Sequence, residues 1–299
     1  MRTSWIGLIV AALLICGPGP RGQELAARQA SDLAHSLVPA DRWNPYRGWT
    51  TVEPLPPPRS EGKPHIELVE PAPKAQWVEG DTYTLLWHWS GPIAKVRLYY
   101  EYERCKLGGR DRGRAGALIS PMVDNKGYVK WTVPWMDAMG FWVRLAGYSA
   151  EGKRLAVCER YVQLRPREAR DLHGTFIVVL RRHQRLYYFE NDRLVRMHLV
   201  STGRRGYATP RMQPGLKGWG TRMGKVFNKI RCAWSNKYDC PMPYWMAVTS
   251  SGMVGLHATT PSAYRRLGSV ASHGCIRQHG KDARELFKLV KIGTPVYVF

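Results

Sequence analysis

The sequence predicts a mainly β protein, a β-sandwich followed by a second β-sandwich domain that closes on one C-terminal helix. Three observations carry this reading. Short runs of aromatic and β-branched residues, several alternating with polar ones, recur from residue 64 to residue 200 with turn residues between them. Only residues 281–292 read as a convincing helix. And 299 residues with 44% hydrophobic content suffice for about two buried cores.

The elements follow in order. Arg2 precedes an apolar run from Trp5 to Cys16, and Gly17-Pro18-Gly19-Pro20 ends any helix there. A charged start, a short apolar core and a breaker predict an export signal over residues 1–22. A membrane span needs about 20 apolar residues, more than this run has, so an uncleaved signal-anchor or a lipid attachment near Cys16 is the route left to N-terminal membrane association. Residues 23–63 read as a linker, with a short helix around Leu25 to Leu37 and then Pro54-Leu55-Pro56-Pro57-Pro58, which favours an extended spacer.

Residues 64–168 predict the first sandwich, with strands over 82–89, 95–100, 128–133 and 141–145 and turns at Asn125-Lys126-Gly127 and Glu151-Gly152. The pattern Gly80-x-x-Tyr83-x-Leu85-x-Trp87, then Gly127-x-Val129-x-Trp131-x-Val133-Pro134, resembles the small Ig-like accessory modules of exported proteins. That resemblance implies a spacer or binding role. Residues 173–299 predict the second domain: a strand meander over 175–180, 185–189 and 194–200 turning at Glu190-Asn191-Asp192, and a glycine-rich basic stretch to about Lys229. In the helix at 281–292, Leu286, Phe287, Leu289 and Val290 form the buried side. Asp282 and Glu285 sit early and Lys288 and Lys291 late, as the helix dipole favours, and Gly293 can end it.

The net charge is +22, and residues 169–299 alone carry 22 basic against 6 acidic side chains. Such a charge first suggests nucleic acid. The export signal excludes that partner and points instead to anionic cell-envelope polymers. Export also implies an oxidising compartment where thiols pair. Cys105 and Cys158 are then one candidate staple and Cys232 with Cys240 another, closing a loop, which leaves Cys275 as the odd, reactive thiol.

The chemistry concentrates in Leu256-His257-Ala258 and Ser272-His273-Gly274-Cys275-Ile276-Arg277. A thiol attacks as thiolate, and a histidine within reach takes its proton. His273 shares the cysteine's short segment, whereas His257 comes from elsewhere and can approach across the fold. Gly274 permits a tight turn whose amides can face a substrate oxygen. The chemistry alone reads as cysteine acyl transfer, with metal binding or an inert thiol as the alternatives.

The spacing of His257 and Ser272-His273-Gly274-Cys275 resembles the signature of the YkuD-type L,D-transpeptidase family. Val200-Ser201-Thr202-Gly203, Thr209-Pro210, Pro241-Met242-Pro243-Tyr244-Trp245-Met246 and Gly293-Thr294-Pro295-Val296 accompany it. Arg211-Met212 departs from the family's small residue and glycine, Thr221-Arg222-Met223-Gly224 offers a displaced version of that turn, and Ala258 replaces a glycine or serine. The resemblance implies Cys275 as nucleophile, His257 as its base, the Ala258 carbonyl orienting that base, and His273, Gly274 and Cys275 amides as oxyanion hole. Arg277 is a candidate for a substrate carboxylate, with Ser272, Tyr244 and Trp245 also near substrate. It further implies peptidoglycan stem peptides as substrate, release of terminal D-alanine and a 3→3 cross-link, with no cofactor and no metal expected, and the export signal predicts a periplasmic or cell-wall location. An L,D-carboxypeptidase or cross-link hydrolase would use the same residues, and a non-catalytic wall-binding module is the alternative from another class.

Overall fold

Alternating side chains turn residues 65–165 into two facing sheets. In the computed structural model, which describes residues 62–299, β1 (His65–Glu70), β3 (Thr82–Ser90) and β6 (Tyr128–Thr132) form a sheet in the order β1-β3-β6. A second sheet runs β2-β8-β7-β4-β5, from β2 (Gln76–Val78), β8 (Arg154–Arg165), β7 (Gly140–Tyr148), β4 (Lys95–Glu103) and β5 (Arg114–Asp124). Their inner faces enclose Leu85, Trp87, Val96, Leu98, Phe141, Val143, Leu145 and Val162. Burying such side chains is the main favourable term, about 1.5–3 kcal/mol each. Aromatic contacts add direction: Trp77 stacks on Tyr83 at 4.4 Å, and Trp131 meets Phe141 edge-on at 5.6 Å. The sequence missed β5, whose Gly116 and Pro121 fit only an edge strand. The export signal, the segment around 25–37 and the proline run lie outside the described residues. Among the described residues no helix is long and apolar enough to cross a membrane.

Residues 176–298 form one curled sheet of nine strands, β12-β13-β14-β15-β16-β11-β10-β9-β17. In chain order these are β9 (Phe176–Leu180), β10 (Arg185–Glu190), β11 (Arg193–Ser201), β12 (Lys217–Gly218), β13 (Thr221–Ser235), β14 (Cys240–Thr249), β15 (Gly255–Ala258), β16 (Ile276–Gln278) and β17 (Val296–Val298). Asn191 and Asp192 both adopt positive φ, 49° and 66°, giving the tight hairpin that joins β10 to β11. The glycine-rich basic stretch runs into a 15-residue strand, β13, on which Arg222, Lys225 and Arg231 are exposed while Met223 and Val226 point in.

Helix α1 (Gly280–Leu289) is the one α-helix among the described residues. His279 caps it, its side chain accepting from the Lys281 amide. The helix stops three residues short of the expected Ile292. Val290 turns extended into the core, and Lys229 Nζ reaches the Phe287 and Val290 carbonyls at 2.5 Å each.

Every residue of β9, and β10 through Phe189, is buried. One face, with Ile177, Val179, Leu186 and Tyr188, meets the curled sheet's own core. The other, with Phe176, Val178, Leu180, Tyr187 and Phe189, packs with Cys105 and Met139 of the first half. Polar ties flank this second core. Asp137 accepts from Arg185 Nε at 2.6 Å and from Arg112 Nη1 at 2.8 Å, and Trp135 stacks on His183 at 4.3 Å. The Gly108 amide donates to Asp282 Oδ2 at 3.2 Å on helix α1. Gly108 has φ 56°, and a Cβ there would enter the His279 ring, so only glycine fits. The spacer expected at 64–168 is thus a packed wall against the second half.

The five described cysteines are all free, and neither expected staple forms. The β13–β14 ribbon pairs Cys232 with Pro243 and Ser235 with Cys240, so the two cysteines stand three positions out of register. Cys105 is buried against Met197, with its sulfur 3.5 Å from that carbonyl, while Cys158 sits on β8 opposite Leu145. Burial pushes the Cys105 thiol up to about 12, which keeps it unreactive.

Candidate active site

The nucleophile's strand and the base's strand are parallel neighbours. β15 pairs with β16 in the register Leu256↔Ile276, His257↔Arg277 and Ala258↔Gln278. Cys275 precedes β16 by one residue, two positions from Arg277, so strand alternation puts it on the same face as His257. Both side chains line one cleft of about 860 Å³.

His257 is buried, and its Nδ1 lies 2.8 Å from the Ala258 carbonyl oxygen. A carbonyl only accepts, so Nδ1 carries the proton and Nε2 keeps a free lone pair. Burial pushes this histidine down to about 4, the Ala258 contact opposing and Arg277 assisting. Burial also raises the Cys275 thiol, against a backbone hydrogen bond from Gly255 and the charge of Arg277. The resting pair is therefore neutral thiol and neutral imidazole. Trp245 walls the cleft behind the imidazole, its ring 5.9 Å away, and Gly255 leaves no room for a Cβ against that indole.

Gly274 has φ 119°, which is why a glycine stands between His273 and Cys275. Its amide donates to Ser272 Oγ at 3.1 Å, and that hydroxyl donates to the Cys275 carbonyl at 2.5 Å. This corrects two expectations. Ser272 is fully buried and spends its hydrogen bonds stapling the turn, so it is not a substrate contact. The Gly274 amide is engaged and does not face the cleft as a free oxyanion donor. Thr209 ties the turn to the preceding loop, donating to Gly274 O at 2.7 Å and accepting from the Gly203 amide at 2.8 Å.

His273 sits between two tyrosines, stacked on Tyr238 at 4.6 Å and edge-on to Tyr207 at 4.9 Å. Arg204 Nη2 lies 2.9 Å from its Nε2. Guanidinium only donates, so Nε2 accepts and the proton resides on Nδ1. Desolvation first, then Arg204, Arg277 and Lys237, hold His273 below the usual histidine range. Arg277 lines the cleft and donates to the Ala271 carbonyl at 3.4 Å. Tyr244, expected beside substrate, adopts φ 58° and packs on Phe287 of the helix, away from the cleft lining. The sequence missed Trp219, Trp234, Tyr238, Met242 and Met253, which also line the cleft. Trp219 and Tyr238, aromatic residues standing in otherwise polar or glycine turns, were the hint among them. Among the described residues no three His, Cys, Asp or Glu side chains gather as a metal site.

The fold and the site define a class, a β-sheet domain with a thiol and an oriented imidazole in one cleft. Residues 174–298 match the family model of the YkuD L,D-transpeptidase catalytic domain, and this part of the chain is such a domain. The Bacillus licheniformis protein YkuD is 30% identical over 114 residues, 38% of this chain and 58% of its own length. The chain thus spans little more than half of that curated relative. Among solved structures, an L,D-transpeptidase of Stackebrandtia nassauensis is 32% identical over 43% of this chain and 56% of its own, with a TM-score of 0.35. The catalytic domain of the E. faecium L,D-transpeptidase is 26% identical over 43% of this chain and 99% of its own, with a TM-score of 0.35.

Proposed function

We propose that the protein is an L,D-transpeptidase that joins peptidoglycan stem peptides through an acyl-enzyme on Cys275. The observation that carries this is the pairing of β15 with β16, which gives the Cys275 sulfur and the His257 imidazole a common cleft, with His257 Nδ1 tied to the Ala258 carbonyl. Cys275 attacks the carbonyl of the diamino acid at stem position three while His257 Nε2 takes the thiol proton. A neutral thiol and a neutral imidazole suit concerted transfer. The bond to the terminal D-alanine breaks, and the imidazolium returns the proton to the leaving amine. The side-chain amine of a second stem then attacks the thioester, giving its proton to His257 and releasing the thiolate and the 3→3 cross-link. The His273 and Cys275 amides are the oxyanion donors, and Arg277 holds a substrate carboxylate.

The setting is a periplasm or cell wall reached through the N-terminal signal, and the basic charge of the catalytic half holds it to anionic envelope polymers. Incubating the full chain with tetrapeptide-bearing muropeptides and weighing the products tests the reaction. Cross-linked dimers lacking one D-alanine are expected, and tripeptides alone indicate hydrolysis. Neither product, together with no carbapenem adduct on Cys275, overturns the reading.

A further inference from the structure

Two indoles at the cleft stand in water without serving the fold. Trp219 is 60% exposed and Trp234 is 58% exposed. Both line the cleft that holds Cys275. Among the described residues neither stacks on another ring or on a cation, so their ring faces stay open toward the cleft. Trp219 also has φ 52° in the β12–β13 turn, a left-handed conformation that bulky residues adopt only at a cost. A glycine or asparagine would be the ordinary choice there. A strained, exposed indole with a second exposed indole in the same cleft points to a ligand.

The lining says which ligand. It contains Lys237 and Arg277 and no aspartate or glutamate, which suits the carboxylates of a stem peptide, while the two open indoles need a partner of another kind. Ser235 and Asn236, next to Trp234, offer hydrogen-bonding side chains. A stem of alanine, glutamate and a diamino acid has no flat apolar face to cover an indole. A pyranose has one, its C–H face, while its hydroxyl and acetamido edges seek polar partners. We propose that Trp219 and Trp234 form a sugar platform at the cleft, binding the N-acetylated amino-sugar chain from which the stem peptide hangs. This rests on the transpeptidase reading above and extends it from the peptide to the glycan.

The test titrates the full chain with peptide-free glycan oligomers and follows indole fluorescence. Trp234→Ala, Trp219→Ala and Trp219→Gly are compared, the last because glycine keeps the φ and separates loss of the ring from loss of the turn. Wild type is expected to bind, and the double variant Trp219→Gly/Trp234→Ala to bind about tenfold more weakly or worse. In turnover, the double variant's loss in kcat/KM is expected to be about tenfold greater for a disaccharide-tetrapeptide donor than for the sugar-free tetrapeptide. Glycan that fails to bind wild type, or equal losses on both donors, overturns the platform. If wild type turns over neither donor, the transpeptidase reading fails by itself, and the glycan titration still decides the platform.

Discussion

The two halves of the described chain use β-strands differently. In the first half β8 alternates exposed and half-buried side chains until its last residues, as a strand does with one face on a core and one in water. In the second half β9 and β10 are buried on both faces through Phe189. The difference teaches where the second cover comes from, because Cys105 and Met139 of the first half complete the core over Phe176 and Phe189. One half carries the cleft of Cys275 and His257, and the other covers the opposite face of its sheet.

The most drastic way to break this comparison is to remove the wall. Residues 173–299 expressed alone expose Phe176, Val178, Leu180, Tyr187 and Phe189, which at about 1.5–3 kcal/mol each approaches the whole stability of a domain. Poor solubility and loss of near-ultraviolet circular dichroism are expected. A soluble, natively packed fragment would show the wall to be dispensable.

Next in size is the chemistry itself. Cys275→Ala is expected to lower dimer formation by about a thousandfold or more without moving the melting temperature far. Mass analysis of muropeptides and a thermal melt read the two effects separately, and dimers formed at the wild-type rate would remove Cys275 from the reaction. Asp137→Ala does the reverse. It leaves the cleft groups in place but strips the buried Arg185 of its carboxylate, whose contact is 2.6 Å. A destabilisation of about 3–5 kcal/mol is expected from denaturant titration. A change below about 1 kcal/mol would mean the pair is solvated in practice.

The smallest effect sharpens the comparison through pH. His257 titrates near 4 folded and near 6.5 unfolded, so between these values the unfolded chain binds more protons and stability falls as pH falls. At pH 5 this one residue costs about 2 kcal/mol relative to pH 8. His257→Gln is expected to flatten that part of the melting-temperature profile, and an unchanged slope would exclude a strongly depressed His257. For the same reason the acid limb of kcat/KM is expected well below 6.5 if His257 is the base.

Much of this was legible in the sequence. The alternating aromatic strands and the Asn191-Asp192 turn announce themselves through local chemistry. Cys275 and His257 stand in a compact motif whose parallel pairing needs only a few residues. The rest depended on what meets what in space. The run Phe176–Leu180 reads as a doubly buried strand, but nothing in it names its second cover. Ser272 looks like a site hydroxyl until its oxygen is seen bridging Gly274 and Cys275. Tyr244 turns from the cleft because of a positive φ in mid-strand, which tyrosine rarely announces. Cys232 and Cys240 are near in sequence yet out of register, so sequence distance misled where ribbon geometry decides.

Arg165 ends β8, just before the short 3₁₀ turn Arg167–Ala169 that leads into the second half. Its guanidinium donates to the Ala169 carbonyl at 2.7 Å, to Gln76 at 3.1 Å, to the Asp192 carbonyl at 3.3 Å and to the Leu172 carbonyl, and it lies 4.9 Å from the Phe189 ring centre. A planar fork with four of its five N–H groups engaged in this way has no lysine equivalent. For anyone cutting or grafting this protein, the seam is therefore not the stretch between residues 168 and 173 where the composition changes. A transplant of the second half carries its keystone only if the cut falls upstream of Arg165 and Gln76 travels with it.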